Sequence, residues 1–310
     1  MTIPRMQDKL MNFAKTTALK VPLVRMRQEM KRRIRSLEDR LTSSLSIDYR
    51  PTPKRRWDET RPHMNLARLF DRFIPNYCNN IKYFESLHTN LKNIAMELDE
   101  SSPEPRWKNV WIPPLDATSI YSFLAKNNPR LFIEIGSGNS TKFAARAIRD
   151  FKLRTQIMSL DPEPRAEVDR LCHRVIRTPL EAANLDIFAE SSSEDIIFFD
   201  GSHRCLQNSD VTVFFLEVLP QLKKGTLVGI HDIWLPTDYG DSWFDRYYSE
   251  QYMLGAWLLA DNGNNWEVEL PVFYAANCLT ETKPYLESLR SKVCKDVTFD
   301  GGAFWMRRKS

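Results

Sequence analysis

The sequence predicts an α/β fold: a doubly wound, Rossmann-like sheet, mostly parallel, behind a helical N-terminal extension. Three observations predict it. From residue 131 onward, short apolar runs alternate with helical segments, the rhythm of parallel strands covered by helices on both faces. Two glycines break the stretch "LFIEIGSGNSTKFAARAIRD" (131–150) between a strand pattern and a helix pattern, where such a sheet opens its ligand crevice. The first 45 residues, by contrast, carry only helical spacing, which sets them apart as an extension.

Composition limits the function classes. Hydrophobic residues make up 42% and charged residues 27% of 310, the balance of a globular chain. No uncharged apolar run reaches the roughly 18–20 residues that span a bilayer, and the N-terminus lacks a secretory h-region. The five cysteines are scattered without a CxxC pair, so a disulfide framework or structural zinc site is not expected and the cytoplasm is the expected location. The net charge of +4 is uneven: residues 1–65 hold 16 Lys and Arg against 7 acids, leaving 28 basic against 33 acidic in the remainder.

The elements follow in order. Residues 1–62 are a basic arm and linker. Leu10, Phe13, Ala14 and Ala18 keep helical spacing, Pro22 interrupts, and a second helical pattern follows. Its bland reading is a solvated helix pair used for packing or self-association, so a homo-oligomer is expected. Its sharper reading is a basic face that meets a membrane surface or a charged partner. "RPTPKRRWDETRP" (50–62) reads as linker. Residues 63–128 form a helical cap region: Leu66, Leu69, Phe70 and Phe73 share one face, and "ATSIYSFLAKNN" (117–128) ends before Pro129. Residues 129–310 form the main domain. Strands are predicted at 131–135, 156–160, 174–176, 195–199 and 226–231, with helices at 140–150, 164–171 and 206–222. Two further strands, 266–276 and 303–308, close the chain.

Glycine serves where backbone turns tightly or approaches a ligand. Gly136 and Gly138 precede a helix whose expected N-cap is Ser140 or Thr141. The stretch is neither a clean GxGxxG nor a P-loop. The second strand, "QIMSLDPEPRAEV", then ends in Asp161. An acid at that tip can take both ribose hydroxyls of an adenosine; its bland reading is a helix N-cap.

Together "EIGSGNS" and "SLDP" resemble motifs of class I S-adenosylmethionine-dependent methyltransferases, and "AFWMRR" resembles the last strand of that fold. The resemblance covers roughly residues 112–310 and departs where Asn139 and Ser140 stand for the third glycine. It implies a seven-stranded sheet with the last strand antiparallel, and S-adenosyl-L-methionine as cofactor. On matching residues it implies that Glu134 orients the methionine amino group and that the loop Gly136, Ser137, Gly138, Ser140 approaches the amino-acid part. Asp161 holds the ribose, and Glu181 of "RTPLEAA" sits near the adenine. Glu181 reads equally well as a solvated loop acid.

Two further strands end in acid and histidine: "DIIFFDGSHR" (195–204) and "GTLVGIHDIWLP" (225–236). Neighbouring tips would bring Asp200, His203, His231 and Asp232 together, an expensive burial unless a metal, a substrate or a proton transfer uses it. The pattern resembles small-molecule O-methyltransferases of the macrolide-sugar and catechol type. That resemblance implies Asp200, His231 and Asp232 as ligands of a divalent metal, and His203, with Asp200, as the catalytic pair in which His203 is the general base. A histidine ligand departs from an all-oxygen set, which opens Mn, Fe or Zn beside Mg. A metal-free site with His203 alone as base is the alternative. Downstream, "WLPTDYGDSWFDRYYSEQYMLGAWLLA" (234–260) gathers aromatics, of which Tyr239, Trp243, Tyr247 and Tyr248 are expected to face a sugar, polyketide or aromatic acceptor. Their other reading is core packing. No "NPPY"-like or Pro-Cys segment is present, so no nucleic acid is expected. The expected function is methyl transfer to a small-molecule hydroxyl. Protein or other N-methylation, and a non-catalytic cofactor-fold protein working through its basic arm, stand as alternatives.

Overall fold

A computed structural model of the chain describes residue 48 and residues 51–189 and 191–309. The expectations for the arm at 1–45 lie outside the described residues. Lys54–Ser310 form one compact unit, so the linker's end and the helical cap region belong to the same body as the sheet.

Among the described residues seven strands form one sheet: β1 (Leu131–Ile135), β2 (Gln156–Leu160), β3 (Arg174–Ile176), β4 (Ile196–Phe199), β5 (Leu227–Ile230), β6 (Trp266–Pro271) and β7 (Phe304–Arg308). Their order is β3-β2-β1-β4-β5-β7-β6. β1 to β5 pair in parallel, and β7 runs antiparallel between β5 and β6. The order reverses between β1 and β4, which opens the crevice at their carboxyl ends.

β4 shows why both faces must be covered, since successive side chains leave a strand on opposite sides. Phe198 packs on Trp305, which packs on Phe123 at 4.8 Å. Phe199 stacks on Phe214 at 4.1 Å and 3°. The first face is thus closed by the helix Pro114–Asn127 and the second by the helical run that starts at Asp210.

Apart from two single turns, His88–Leu91 and Asp186–Ala189, the α-helices among the described residues, numbered along the chain, are α1 (Met64–Asp71), α2 (Ile74–Ser86), α3 (Pro114–Asn127), α4 (Asn139–Phe151), α5 (Asp210–Val213, continuing as a π-helix Phe214–Val218 and a turn Leu219–Gln221), α6 (Glu250–Asp261), α7 (Val272–Asn277) and α8 (Lys283–Val293). Three expectations change. The helix expected at 164–171 is a loop with a single 3₁₀ turn, Asp169–Leu171. The strand expected at 266–276 ends at Pro271, and Val272–Asn277 is helical. In α5 the ring of Pro220 would clash with the carbonyl of residue 216, and the π-helix over Phe214–Val218 brackets that carbonyl.

Trp305 sits at the centre, with no exposed surface and its indole N–H donated to Ser119 Oγ at 2.8 Å. Trp305→Ala should cost about 3–5 kcal/mol, read as a lower urea midpoint at unchanged slope. A loss under about 1 kcal/mol would show that the two faces pack without it.

Candidate active site

The loop after β1 is shaped by packing first. Gly136 has φ +79°, and a Cβ there would stand 1.8 Å from the carbonyl oxygen of Asp200. The turn therefore presses backbone to backbone against the tip of β4, and only glycine allows it. Gly138 is extended at φ 168° and is itself the N-cap of α4, two residues before the expected Ser140. Thr141 reaches back instead: its Oγ1 accepts the Gly138 N–H at 3.0 Å and donates to Glu134 Oε2. Glu134 is fully buried on β1, and its Oε1 has no hydrogen-bond partner. Burial pushes its carboxyl up to about 8, against the hydroxyls of Ser140 and Thr141 beside it, with the charges of Asp200 and Asp161 adding to the rise.

Asp161 at the tip of β2 is tied to both neighbouring loops. Its Oδ2 accepts from Ser137 N at 2.6 Å and Ser137 Oγ at 3.2 Å, and Oδ1 accepts from Glu163 N at 2.8 Å. A cleft of about 380 Å³ opens beside it, lined by Gly136, Ser137, Asp161, Glu181 and Asp200 from the expected set. Its size suits a small ligand. Glu134, Gly138 and Ser140 stand behind that wall rather than on it. Glu163, Arg165, Ser202 and Asp210 also line the cleft and were missed. Asp210 holds the loop after β4 by accepting from Ser202 N at 2.6 Å.

Asp200, His203, His231 and Asp232 come together as expected. His203 Nε2 lies 3.2 Å from Asp200 Oδ1 and 3.5 Å from Asp232 Oδ2. His231 Nδ1 lies 3.3 Å from Asp200 Oδ1 and 3.6 Å from Asp232 Oδ1. His203 and Asp232 both adopt left-handed backbone, at φ +61° and +55°, an uncommon conformation in non-glycine residues that costs energy and gathers at functional sites.

Behind each imidazole stands a second carboxylate that the sequence did not reveal. His203 Nδ1 meets Glu250 Oε2 at 2.9 Å, and His231 Nε2 meets Asp116 Oδ2 at 3.1 Å. Both acids are fully buried. Asp116, in the first turn of α3, also accepts from Gly302 N and Ala303 N just before β7. Glu250 opens α6. The only sequence signal was an isolated acid beside an apolar pattern, which is common and carries no address.

The electrostatics follow. Burial alone would strip both histidines of their protons, but hydrogen bonds and charge from Asp200 and Glu250 hold His203 well above its usual range. Asp200, Asp232 and Asp116 do the same for His231. Burial would raise Asp200, yet the facing imidazoles hold it well below the carboxylate range. Burial lifts Glu250 to about 7, with His203 opposing.

The aromatic segment only partly meets its expectation. Tyr239 is buried, and its hydroxyl donates to Asp232 O at 2.8 Å, so it supports the β5 tip instead of facing an acceptor. Trp243 stacks on Tyr239 at 5.7 Å and 17° under the Arg246 guanidinium. Tyr248 lies over His203 at 4.5 Å. Tyr247 is half exposed.

Residues 133–233 match the family model described as a methyltransferase domain. No curated protein matches the sequence significantly. Among solved structures, MycE methyltransferase from the mycinamycin biosynthetic pathway, in complex with Mg, S-adenosylhomocysteine and mycinamycin VI, aligns at 16% identity over 69% of this chain, with TM-score 0.39. This chain spans 56% of that one. The S-adenosylhomocysteine-bound methyltransferase PaMTH1 of Podospora anserina aligns at 14% identity over 87% of this chain and 100% of its own, TM-score 0.40. An O-methyltransferase from Bacillus cereus, in complex with S-adenosylhomocysteine, aligns at 14% over 82% and 100%, TM-score 0.40.

Glu134 gives this site a pH signature. Its folded pKa of about 8 lies above the ordinary glutamate value of 4.5, so between those values the native state holds a proton that the unfolded chain has released. Stability contributed by this group therefore falls as pH rises through that window. Glu134→Gln removes the effect. Its stability relative to the parent should improve steadily from pH 5 to pH 8 in denaturant titrations and then level off. A difference that stays flat with pH would show that Glu134 titrates alike in both states.

Proposed function

We propose, from the match of residues 133–233 to a methyltransferase domain, that S-adenosyl-L-methionine donates a methyl group to the hydroxyl of a small molecule, with His203 as general base. The observation that carries the reading is the contact between His203 Nε2 and Asp200, since Asp200 is also a wall of the cleft. His203 is buried behind Asp200, and Asp200 connects it to a ligand-sized opening walled by the acids of β2 and β4. When bound, the cofactor supplies an activated methyl on a cationic sulfur. Everything else falls to the chain.

Ser137, Asp161 and Glu181 offer polar groups to a nucleoside along the cleft. Glu134 stands behind the β1 loop with its Oε1 unpartnered, and it would orient the ammonium of the donor's methionine part through that loop or an ordered water. The acceptor hydroxyl would sit against His203 Nε2, beneath Tyr248, which is 4.5 Å from the imidazole. Trp243 and Tyr247 supply the outer aromatic surface for a sugar, polyketide or aromatic ring. In such a transfer the carbon–sulfur bond would break as the oxygen–carbon bond formed, and Nε2 of His203 would take the hydroxyl proton. The surrounding carboxylates hold His203 protonated at rest, so this base works on the alkaline side of the ordinary histidine range of about 6.5.

A divalent metal (Mg, Mn, Fe or Zn) belongs to the same reading. Among the described residues, no group of three or more His, Cys, Asp or Glu is assembled as a metal cage. The donor chemistry nevertheless fits: Nδ1 of His231 faces Asp200 and Asp232, at 3.3 and 3.6 Å, and its Nε2 is anchored by Asp116, as the outer nitrogen of a ligating histidine is in metal sites. An ion held by Asp200, His231 and Asp232 would lower the pKa of the acceptor hydroxyl.

Three outcomes test the proposal. Asp161→Ala should weaken S-adenosylhomocysteine binding at least tenfold, about 1.4 kcal/mol; folded parent protein that fails to bind it in calorimetry removes the cofactor. His203→Ala should keep that affinity while turnover falls by roughly 10²–10⁴, and the parent's rate should rise with pH above about 6.5. A chelator should abolish turnover until one divalent ion is restored, whereas full activity in chelator leaves the histidine mechanism without a metal.

A further inference from the structure

Glu250 has one hydrogen-bond partner, the Nδ1 of His203 at 2.9 Å. It has no exposed surface, and its second oxygen, Oε1, has no partner. A buried carboxylate with a single use is a poor stabiliser, since burying it costs several kcal/mol that one partner scarcely offsets. The same helix end grips the backbone of His203 as well: the N–H groups of Ser249 and Glu250 both donate to the His203 carbonyl, at 2.8 and 3.2 Å. Ser249 Oγ accepts the N–H of Cys205, so the segment 203–205 is strung along the start of α6. His203 keeps left-handed backbone within this grip. Its ring is bounded by Tyr248 on one face, and its Nε2 is turned to Asp200 on the cleft side.

We propose that Glu250 is the positioning residue of the site, holding the Nδ1–H of His203 so that the ring cannot flip and Nε2 faces the cleft. This rests on the reading of His203 as base. Glu250 touches neither donor nor acceptor and acts only through the imidazole. It leaves Nε2, the nitrogen on the Asp200 side, to take the hydroxyl proton once that position has lost its resting proton, and it faces the positive charge that the ring carries whenever both nitrogens are protonated. The arrangement also explains why a single acid opens α6 inside the protein, where a helix N-terminus would be served as well by an exposed one.

The test needs no acceptor. Full-length protein labelled with ¹⁵N in histidine should show a far-downfield imidazole proton attached to Nδ1, assigned to His203 by its loss in His203→Gln. Glu250→Gln should move that proton upfield, and Glu250→Ala should abolish it, while S-adenosylhomocysteine affinity stays within twofold of the parent. The proton on Nε2 of His231, held by Asp116, should remain in both variants and serves as the internal control. Should Glu250→Ala fail to fold, Glu250→Gln, of nearly equal volume, decides alone. A parent spectrum without the Nδ1 proton, or one unmoved by Glu250→Gln, overturns the proposal. Failure of the base reading shows elsewhere, as full turnover in His203→Ala although the parent shows the Nδ1 resonance and Glu250→Gln moves it.

Discussion

Two buried histidines, each held between carboxylates, are the constraint around which the rest of the protein is arranged. Asp116, Asp200, Asp232 and Glu250 bring up to four negative charges against two imidazoles. Two unit charges about 4 Å apart attract by about 4 kcal/mol at an effective dielectric near 20. Removing an ion from water costs several kcal/mol. One partner per histidine would barely balance that cost; three do, which is why both rings hold protons despite burial. Fully ionised, the four carboxylates outnumber the two imidazoles they face.

The fold supplies those charges from four directions. β4 and β5 are adjacent parallel strands, so their tips deliver Asp200 and Asp232 with the two histidines. α3 brings Asp116 from a region that looks like a mere cap, and α6 brings Glu250 from beyond the aromatic segment. Each needs close backbone approach. A Cβ at Gly301 would lie 2.1 Å from Asp116 Oδ1, so the strand leading into β7 can reach that carboxylate only without a side chain. Stability and site are thereby linked, because Asp116 joins α3, β5 and the start of β7 through one carboxylate.

Much of this was legible in the chain. The alternation of apolar runs with helical spacing located all seven strands, and the endings "DGSH" and "HD" marked neighbouring tips. Their convergence follows from strand adjacency alone. One error has a local cause: Pro271 closed a strand early. Tyr239 looked like an acceptor contact because tyrosine density cannot say which rings spend their hydroxyls inside, as Tyr239 does on Asp232.

What the sequence determined by itself is whatever depends on short-range pattern: strand and helix periodicity, the glycine turn after β1, and the identity of the residues ending each strand. What only the tertiary structure decided is which distant residue stands behind each of these. Asp116 lies 115 positions from His231, and Glu250 lies 47 from His203; neither spacing has a period. A buried acid in a sequence is indistinguishable from a solvated one, since its partner is set by how helices cross the sheet. That crossing is fixed by the packing of Trp305, Phe123, Phe198 and Phe214 across both faces, a sum of many contacts that no single stretch of chain contains.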